Sequence, residues 1–385
     1  MNGRERVFNT LAHNESDHIA IYESFWQDTL IRWRQEGLGA DTEPADLFDF
    51  DIYIMGIDAS PRFTPELLED DGEMITLRDR FGYVVRKHKN KSRTMGFLSH
   101  PVKSREDWSL IRDRLILQAD EPARTDLQAF PFRLDMGPSW DRSRQGYNAV
   151  RKKEKYILGS AYGPHEAILR LRGFEQTLYD LVDEPELLQE MAEGYTDFLL
   201  EVLAKCLSEE VRFDGFFMVE DLASTRGMLF SPNIWRSIFK PSVEKIGGFL
   251  KDNGLNFWMH CCGNAEPVFR DLIDCGLDVI NPLEAKSGLD VRVLKAKYGG
   301  ELTFFGNIDV MAMSGSDEEI EKEISEKVSV AKVGGGYIYH SDHSVPPEVP
   351  FERFKFIMDL VKKYGAYQNV ITRSIYEEEN VTSSD

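Results

Sequence analysis

The stretch NFWMHCCGN, residues 256–264, has the form of a short buried strand that ends in polar side chains. Its apolar part, FWM, predicts the strand, and the GN that follows predicts a turn. His260 and Cys262 are two residues apart, so their side chains lie on the same face of an extended strand. An imidazole and a thiolate on one face are ligands that zinc prefers, whereas a buried cysteine is also an ordinary core residue. The stretch alone leaves a zinc site and a plain strand end as alternatives.

Seven further segments have a similar form, and helix-like segments separate most of them. They are HIAIYES (18–24), DIYIMGID (51–58), YILGSAYG (156–163), GFFMVEDL (215–222), LDVINPLE (277–284), LTFFGNID (302–309) and GGYIYHSDH (335–343). Eight strands that alternate with helices predict an α/β fold of the (β/α)8 TIM barrel type. A doubly wound nucleotide-binding fold is disfavoured, because no glycine-rich phosphate loop follows the first strand.

The same pattern predicts one barrel domain over residues 1–370, followed by a polar C-terminal tail at 371–385. An insertion or lid is expected around residues 63–155. Within it, TLRDRFGYVVRKHKN (76–90) indicates a β-hairpin, whereas residues 119–155 have no clear period.

Composition excludes several classes of protein. The chain has 385 residues, of which 42% are hydrophobic and 29% charged, as in soluble globular proteins. No apolar run of about 18 residues predicts a membrane span, and the charged start MNGRERVFNT does not resemble a signal peptide, so we expect a cytoplasmic protein. Its four cysteines have no secreted-scaffold spacing. A net charge of -20 disfavours binding to nucleic-acid phosphates.

Polar side chains that follow the strands of such a barrel gather at its C-terminal face. These residues are Glu23, Asp58, Tyr162, His165, Glu220, Asp221, His260, Cys262, Glu284, Asn307, Asp309, His340, Asp342 and His343. Taken singly, each is typical of a helix cap or turn, and Asp221 and Asn264 are good examples. Carboxylates, imidazoles and a thiolate at one mouth together predict a metal or acid–base site.

A catalytic zinc ion needs at least one more protein ligand besides His260 and Cys262. Glu220 and Glu284 end the strands that flank the fifth strand, which favours them on geometry. His343 follows the eighth strand, so its side chain would have to cross the barrel mouth. The residues themselves leave these alternatives open.

Several segments resemble the uroporphyrinogen decarboxylase superfamily, and most closely its corrinoid-linked methyltransferase branch. They are WQDTLIRWRQEGL (26–38), GPHEAILRLRGFEQTLYDLVDEPEL (163–187), VEDLASTRGMLFSP (219–232), HCCGN (260–264), DVINPLE (278–284), FGNID (305–309) and GGGYIYHSDHSVPPEVP (334–350). The resemblance implies a (β/α)8 barrel. The decarboxylases begin with an arginine-rich loop that holds the substrate carboxylates, but this chain has HIAIYESFWQD (18–28) there. We therefore expect a methyltransferase.

The methyltransferases of this branch bind zinc through an H-x-C pair after strand five and a cysteine after strand eight. His260 and Cys262 match the pair, and His343 stands where the last cysteine would fall. The resemblance thus implies a zinc site of these three residues and a corrinoid, such as methylcobalamin, on a partner protein. The expected reaction moves a methyl group between that corrinoid and a small methyl ether, amine or thiol.

Roles for other side chains follow from this expectation. We expect Glu220, Glu284 and Asp58 to be catalytic. Substrate-binding residues are expected to be Glu23, Phe25, Trp26, Tyr162 and Asn307. The alternatives are a metal-free, decarboxylase-like lyase that acts on a small carboxylate through Asp58, and a non-catalytic barrel that binds a partner. The resemblance also allows a homodimer, because the decarboxylase relatives include dimers.

Overall fold

A curled, mainly parallel sheet is the centre of this computed structural model, which describes residues 1–91, 95–127 and 134–367. The strands are β1 (Ala20–Ile21), β2 (Ile52–Ile57), β3 (Glu66–Asp70), β4 (Met74–Arg78), β5 (Val84–His88), β6 (Met95–Ser99), β7 (Thr125–Asp126), β8 (Tyr156–Tyr162), β9 (Gly215–Val219), β10 (Ala223–Ser224), β11 (Gly227–Met228), β12 (Asn256–Cys261), β13 (Val279–Pro282), β14 (Thr303–Phe305) and β15 (Tyr337–Tyr339).

Helices cover this sheet and connect its strands. They are α1 (Gly3–Leu11), α2 (Gln27–Gln35), α3 (Pro44–Leu47), α4 (Arg105–Arg112), α5 (Trp140–Arg151), α6 (Pro164–Arg172), α7 (Phe174–Asp183), α8 (Pro185–Ser208), α9 (Pro232–Ile238), α10 (Lys240–Asp252), α11 (Phe269–Asp274), α12 (Val291–Tyr298), α13 (Val310–Met313), α14 (Asp317–Ala331) and α15 (Phe351–Gly365). None of the described helices combines the length and apolar character that a membrane crossing requires.

The central sheet has nine strands in the order β1-β15-β14-β13-β12-β9-β8-β2-β7. Eight of these strands run parallel to their neighbours, whereas β7 runs antiparallel to β2. The eight parallel strands lie within the eight segments that the sequence predicts as strands. The α/β class and the barrel-like succession of strands are therefore confirmed.

The prediction of a closed barrel is wrong in one respect, because no ladder joins β1 to β2 among the described residues. The strand β1 is only two residues long, and β7 occupies the edge of β2 at Gly56 and Ile57. Asp51 links the two ends instead. Its backbone N–H donates to the Ile21 carbonyl (2.8 Å), and its Oδ2 accepts the Ile21 N–H (2.7 Å). The result is a TIM-barrel-like sheet with an open seam.

Large apolar side chains fill the interior of the curled sheet. The ring centroids of Trp258 and Phe305 are 5.7 Å apart, and those of Phe217 and Phe305 are 6.3 Å apart. Burial on both faces explains why these parallel strands are continuously apolar in sequence. The Phe217 ring also lies 6.1 Å from the His260 ring, so this packed interior forms a floor beneath the carboxyl end of β12.

The segment between β2 and β8 forms a four-stranded antiparallel sheet in the order β3-β4-β5-β6, and also α4, β7 and α5. The predicted hairpin within residues 76–90 corresponds to β4 and β5. The helix α5 was missed, although its buried residues Ser143, Tyr147 and Val150 have helical spacing. Its apolar stripe is short and interrupted by a serine, so its periodic pattern is weak.

The predicted division at residue 370 lies outside the described part of the chain. The single domain over 1–370 and the tail at 371–385 stay predictions.

Candidate metal centre

His260 and Cys262 meet at the carboxyl end of β12. The Sγ atom of Cys262 lies 3.3 Å from Nε2 of His260. Two ligands of one tetrahedral zinc ion lie about 3.5 Å apart when their bonds to the metal are about 2.0–2.3 Å long. The donor set and its spacing therefore fit a zinc ion. Burial raises the pKa of the Cys262 thiol far above its usual range, and the carboxylates of Asp221 and Glu284 raise it further.

Asn281 on the neighbouring strand β13 orients the His260 ring, because its Oδ1 lies 2.7 Å from Nδ1. Asn281 is not among the site residues predicted from the sequence. Its position could have identified it, because Asn281 is the register partner of His260 in the pairing of β13 with β12.

The adjacent cysteines have different environments. Cys261 is buried, and its Sγ accepts a hydrogen bond from the Leu222 N–H at 3.4 Å. Cys262 is half-buried and has His260 as its neighbour on the same side of the strand. Alternation along β12 thus assigns one thiol to the protein core and the other to the mouth.

Asp221 also belongs to the site, although its sequence position is typical of a turn or helix-cap residue. Its Oδ1 lies 3.8 Å from Nε2 of His260 and accepts the Cys262 N–H at 2.8 Å. One donor atom from each of Asp221, His260 and Cys262 lies within 4.8 Å of the other two. The strand β9, which precedes Asp221, pairs with β12, and this adjacency was the signal that could have identified it.

Glu284 and His343 form a second group with Cys262, again with one donor atom of each within 4.8 Å of the others. Oε2 of Glu284 accepts hydrogen bonds from the Gly263 N–H (3.0 Å) and the Ser287 hydroxyl (2.9 Å). Burial is the main cause that lowers the pKa of His343, which favours its neutral form. The structure thus brings together His260, Cys262, Glu284 and His343 from the predicted set.

Glu220 lies in neither group. Its two carboxylate oxygens accept the backbone N–H groups of His165 and Glu166, each at 3.0 Å, in the first turn of α6. Burial raises the pKa of Glu220 to about 8. In this position Glu220 caps a helix N-terminus.

Glu23 and Asn307 are buried and bind the backbone of neighbouring loops. Glu23 accepts hydrogen bonds from the Ser24 N–H (3.0 Å) and from the Ser341 N–H (3.1 Å) and hydroxyl (2.8 Å). The Asn307 amide donates to the Leu283 carbonyl at 2.6 Å, and its Oδ1 accepts from Val291. Both side chains hold loops in place at the mouth.

The aromatic residues predicted for substrate binding have different surroundings. Phe25 packs in the core, with ring centroids 4.9 Å from Trp33 and 5.3 Å from Phe354. Trp26 stacks on His343 at 5.2 Å. Trp26 and His343 both line a cavity of about 580 Å³, together with Lys286.

Asp58 and Tyr162 line a second cavity of about 180 Å³, with Arg80 and Arg170. Asp58 accepts hydrogen bonds from Arg62 and Arg80, each at 2.9 Å. Burial alone would raise the pKa of Asp58, but the charges of Arg80 and Arg62 outweigh it and lower the pKa to about 2. The lining of this cavity includes none of the metal-centre residues.

These features describe a TIM-barrel-like α/β fold with a candidate metal centre at the carboxyl ends of its strands. The family model for uroporphyrinogen decarboxylase (URO-D) matches residues 146–364, which is more than half of the chain. The chain belongs to this family, and the resemblance inferred from its motifs is confirmed.

Two curated relatives illustrate the distance within the family. The uroporphyrinogen decarboxylase of Thermodesulfovibrio yellowstonii is 25% identical over 163 residues, covering 42% of this chain and 45% of that protein. The uroporphyrinogen decarboxylase of Pseudoalteromonas atlantica is 30% identical over 78 residues, covering 20% of this chain and 22% of that protein. The aligned part of the chain thus spans less than half of the length of either relative.

A solved structure matches almost the whole fold. It is a methyltransferase from Methanosarcina mazei, with a TM-score of 0.63 and 16% identity, covering 95% of this chain and 100% of that chain. A match at this identity shows the fold.

Proposed function

We propose that this chain is a zinc-dependent methyltransferase that moves a methyl group between a small substrate and a corrinoid on a partner protein. The observation that carries the proposal is the approach of His260 Nε2 to Cys262 Sγ, at 3.3 Å, in the mouth of the barrel-like sheet. Membership of the uroporphyrinogen decarboxylase family and the likeness in fold to a methyltransferase support the proposal at the level of the enzyme class.

His260 and Cys262 would hold the metal. A bound zinc ion supplies a Lewis acid that lowers the pKa of a coordinated thiol or polarises a bonded heteroatom. Asn281 keeps the proton of His260 on Nδ1 and so leaves Nε2 available. The packed rings of Phe217 and Phe305 below the site exclude water from that side.

The cavity of about 580 Å³ beside His343 supports the placement of a small substrate. Its volume falls in the range of small-molecule sites, about 300–1,000 Å³. His343 belongs both to this cavity and to the group with Cys262 and Glu284, so the cavity lies beside the candidate metal centre. Glu284, which belongs to this group, would accept a proton from a thiol substrate, or return one to the product of demethylation.

A thiol substrate would lose its proton and take the methyl group from the corrinoid. In the opposite direction, a methyl ether or amine would give its methyl group to the corrinoid, and its heteroatom would take up a proton. Both directions require the partner's corrinoid to approach the same mouth as the substrate. We therefore place the partner protein over the carboxyl ends of the parallel strands.

A metal-free lyase is the second candidate, because Arg80 and Arg170 in the smaller cavity suit a carboxylate substrate. Asp58 would be its acid–base group. The pKa of about 2 keeps Asp58 ionised near neutral pH, so it has no proton to donate. The methyltransferase is therefore the preferred proposal.

The test is zinc-dependent methyl transfer, followed by visible absorption spectroscopy. Zinc-loaded protein is mixed with methylcobalamin and a panel of thiols, or with cob(I)alamin and a panel of methyl ethers and amines. We expect turnover in the wild type, none in Cys262→Ala, and turnover close to wild type in Cys261→Ala, whose thiol belongs to the core. Equal turnover in Cys262→Ala, or no turnover of the zinc-loaded wild type in either direction, would contradict the proposal.

A further inference from the structure

Three residues, Asp221, Glu284 and His343, are candidates for the third ligand of the metal centre. Cys262 forms one group with Asp221 and His260, and a separate group with Glu284 and His343. We infer that Asp221, and not His343, completes a three-ligand site with His260 and Cys262, and that His343 is a hydrogen-bond donor beside it. This inference rests on the proposed zinc-dependent function and specifies its metal site.

The hydrogen bonds of Asn281 decide which nitrogen of His260 is free. The Asn281 Nδ2 donates to the Phe305 carbonyl at 3.0 Å, which turns its Oδ1 toward His260. An amide oxygen only accepts, so His260 Nδ1 carries the proton and Nε2 keeps its lone pair. That lone pair faces Cys262 Sγ at 3.3 Å and Asp221 Oδ1 at 3.8 Å.

The opposite arrangement holds at His343. The Ser344 N–H donates to Nδ1 of His343 at 2.9 Å. A backbone N–H only donates, so Nδ1 is the acceptor and the proton of the neutral ring is on Nε2. Neither nitrogen then has a free lone pair for a metal ion. The stacked Trp26 ring, 5.2 Å away, holds the imidazole in this orientation.

Glu284 is also engaged through both oxygens. Its Oε2 accepts from Gly263 and Ser287, and its Oε1 lies 3.3 Å from Nζ of Lys286. The Asp221 side chain is 38% exposed, against 6% for Glu284. In the described part of the chain, Oδ1 of Asp221 contacts the Cys262 amide and His260, and Oδ2 makes no hydrogen bond. Asp221 is therefore the carboxylate that can bind a metal without losing a partner.

Charge favours the same assignment. A thiolate and a carboxylate together balance the two positive charges of zinc. With His343 in place of Asp221, one positive charge would remain uncompensated among the ligands of a half-buried site, which is unfavourable. Aspartate oxygen is an ordinary zinc ligand beside histidine and cysteine.

Zinc affinity of single variants tests the inference without relying on activity. Zinc dissociation constants are measured by chelator competition for the wild type and for Asp221→Asn, His343→Gln and Glu284→Gln. Asparagine keeps an oxygen for the Cys262 N–H but is a poor metal ligand. We expect Asp221→Asn to lower zinc affinity more than about 100-fold. Loss of a residue that only hydrogen-bonds to a ligand typically lowers metal affinity about 10–100-fold. His343→Gln is expected to change it by less than about 3-fold, because it removes no ligand.

X-ray absorption spectroscopy of the zinc-loaded wild type is the second measurement, and it needs no variant to fold. One sulfur and one imidazole in the coordination shell are expected, whereas two imidazoles would overturn the assignment. Loss of zinc in His343→Gln or Glu284→Gln, with zinc retained in Asp221→Asn, would also overturn it and leave the methyltransferase proposal standing. A wild type that binds no added zinc would overturn both together.

Discussion

The Oδ1 atom of Asn281 lies 2.7 Å from Nδ1 of His260, so an amide on one strand orients the imidazole on the next. A histidine that binds a metal typically donates its second ring N–H to such a partner. Here the partner is itself fixed by a hydrogen bond to the Phe305 carbonyl. The orientation of His260 therefore depends on a residue that need not contact the metal.

Asn281→Ala should lower zinc affinity by about 10–100-fold, because His260 loses the acceptor that fixes its tautomer. Chelator competition measures the change. Asn264→Ala is the matched control, since Asn264 lies at the same mouth but binds the Ser287 carbonyl and the Glu266 N–H. Equal losses in both variants would show that the effect is general disturbance of the mouth.

Gly263→Ala should destabilise the protein more than Gly254→Ala. Both glycines have positive φ, +75° and +68°, so each substitution costs about 1 kcal/mol in backbone strain. A Cβ at Gly263 would also lie 2.6 Å from backbone atoms of Ala223 and Ser224, whereas a Cβ at Gly254 meets nothing within 4 Å. Urea unfolding measures the free energy of unfolding of each variant. Equal losses in Gly263→Ala and Gly254→Ala would contradict the effect expected from the close contact at Gly263.

Asp58→Asn should lower the free energy of unfolding by about 1.5–3 kcal/mol, because Arg62 and Arg80 both lose a charged acceptor although Arg80 keeps its ion pair with Asp126. The side chains of Asp58, Arg62 and Arg80 are 4%, 7% and 10% exposed. The control is Asp46→Asn, which removes an exposed ion pair with Lys153 and should change the free energy by about 0.5 kcal/mol or less. Urea unfolding at neutral pH measures both, and similar losses would contradict the prediction.

Glu23→Gln should remove part of the pH dependence of stability between about pH 4.5 and 8. Burial raises the pKa of Glu23 from 4.5 to about 8. The folded state thus binds this proton more tightly than the unfolded state does. The stability contributed is complete below about pH 4.5 and is lost as pH rises toward 8. Urea midpoints at pH 5 and pH 8.5 should differ more in the wild type than in the variant. Equal differences would contradict the raised pKa.

The central strands were predictable because burial on both faces forces a continuous apolar run. NFWMHCCGN and YILGSAYG contain β12 and β8 for this reason. The failure of the ring to close was not predictable in the same way. It depends on β7, a two-residue strand, and on the side chain of Asp51, neither of which has a periodic signal.

The spacing of His260 and Cys262 predicted their common face, because alternation along a strand is local. Alternation along one strand could not identify Asp221 and Asn281, because their roles depend on the register of β9 and β13 against β12. The same limit applies to Glu220, which looked like a member of the site. Its carboxylate turns toward α6, a choice that only the packing of that helix decides.

Asp51 has a structural consequence at the mouth. The strand β1 pairs with β15 along one side, and its two backbone hydrogen bonds on the side of β2, among the described residues, both join Ile21 to Asp51. Three residues after β1, the hydroxyl of Ser24 lies 3.0 Å from that of Ser344, whose N–H donates to the His343 ring. Ser24 and Ser344 therefore connect the end of β1, at the open seam of the sheet, to the loop that carries His343.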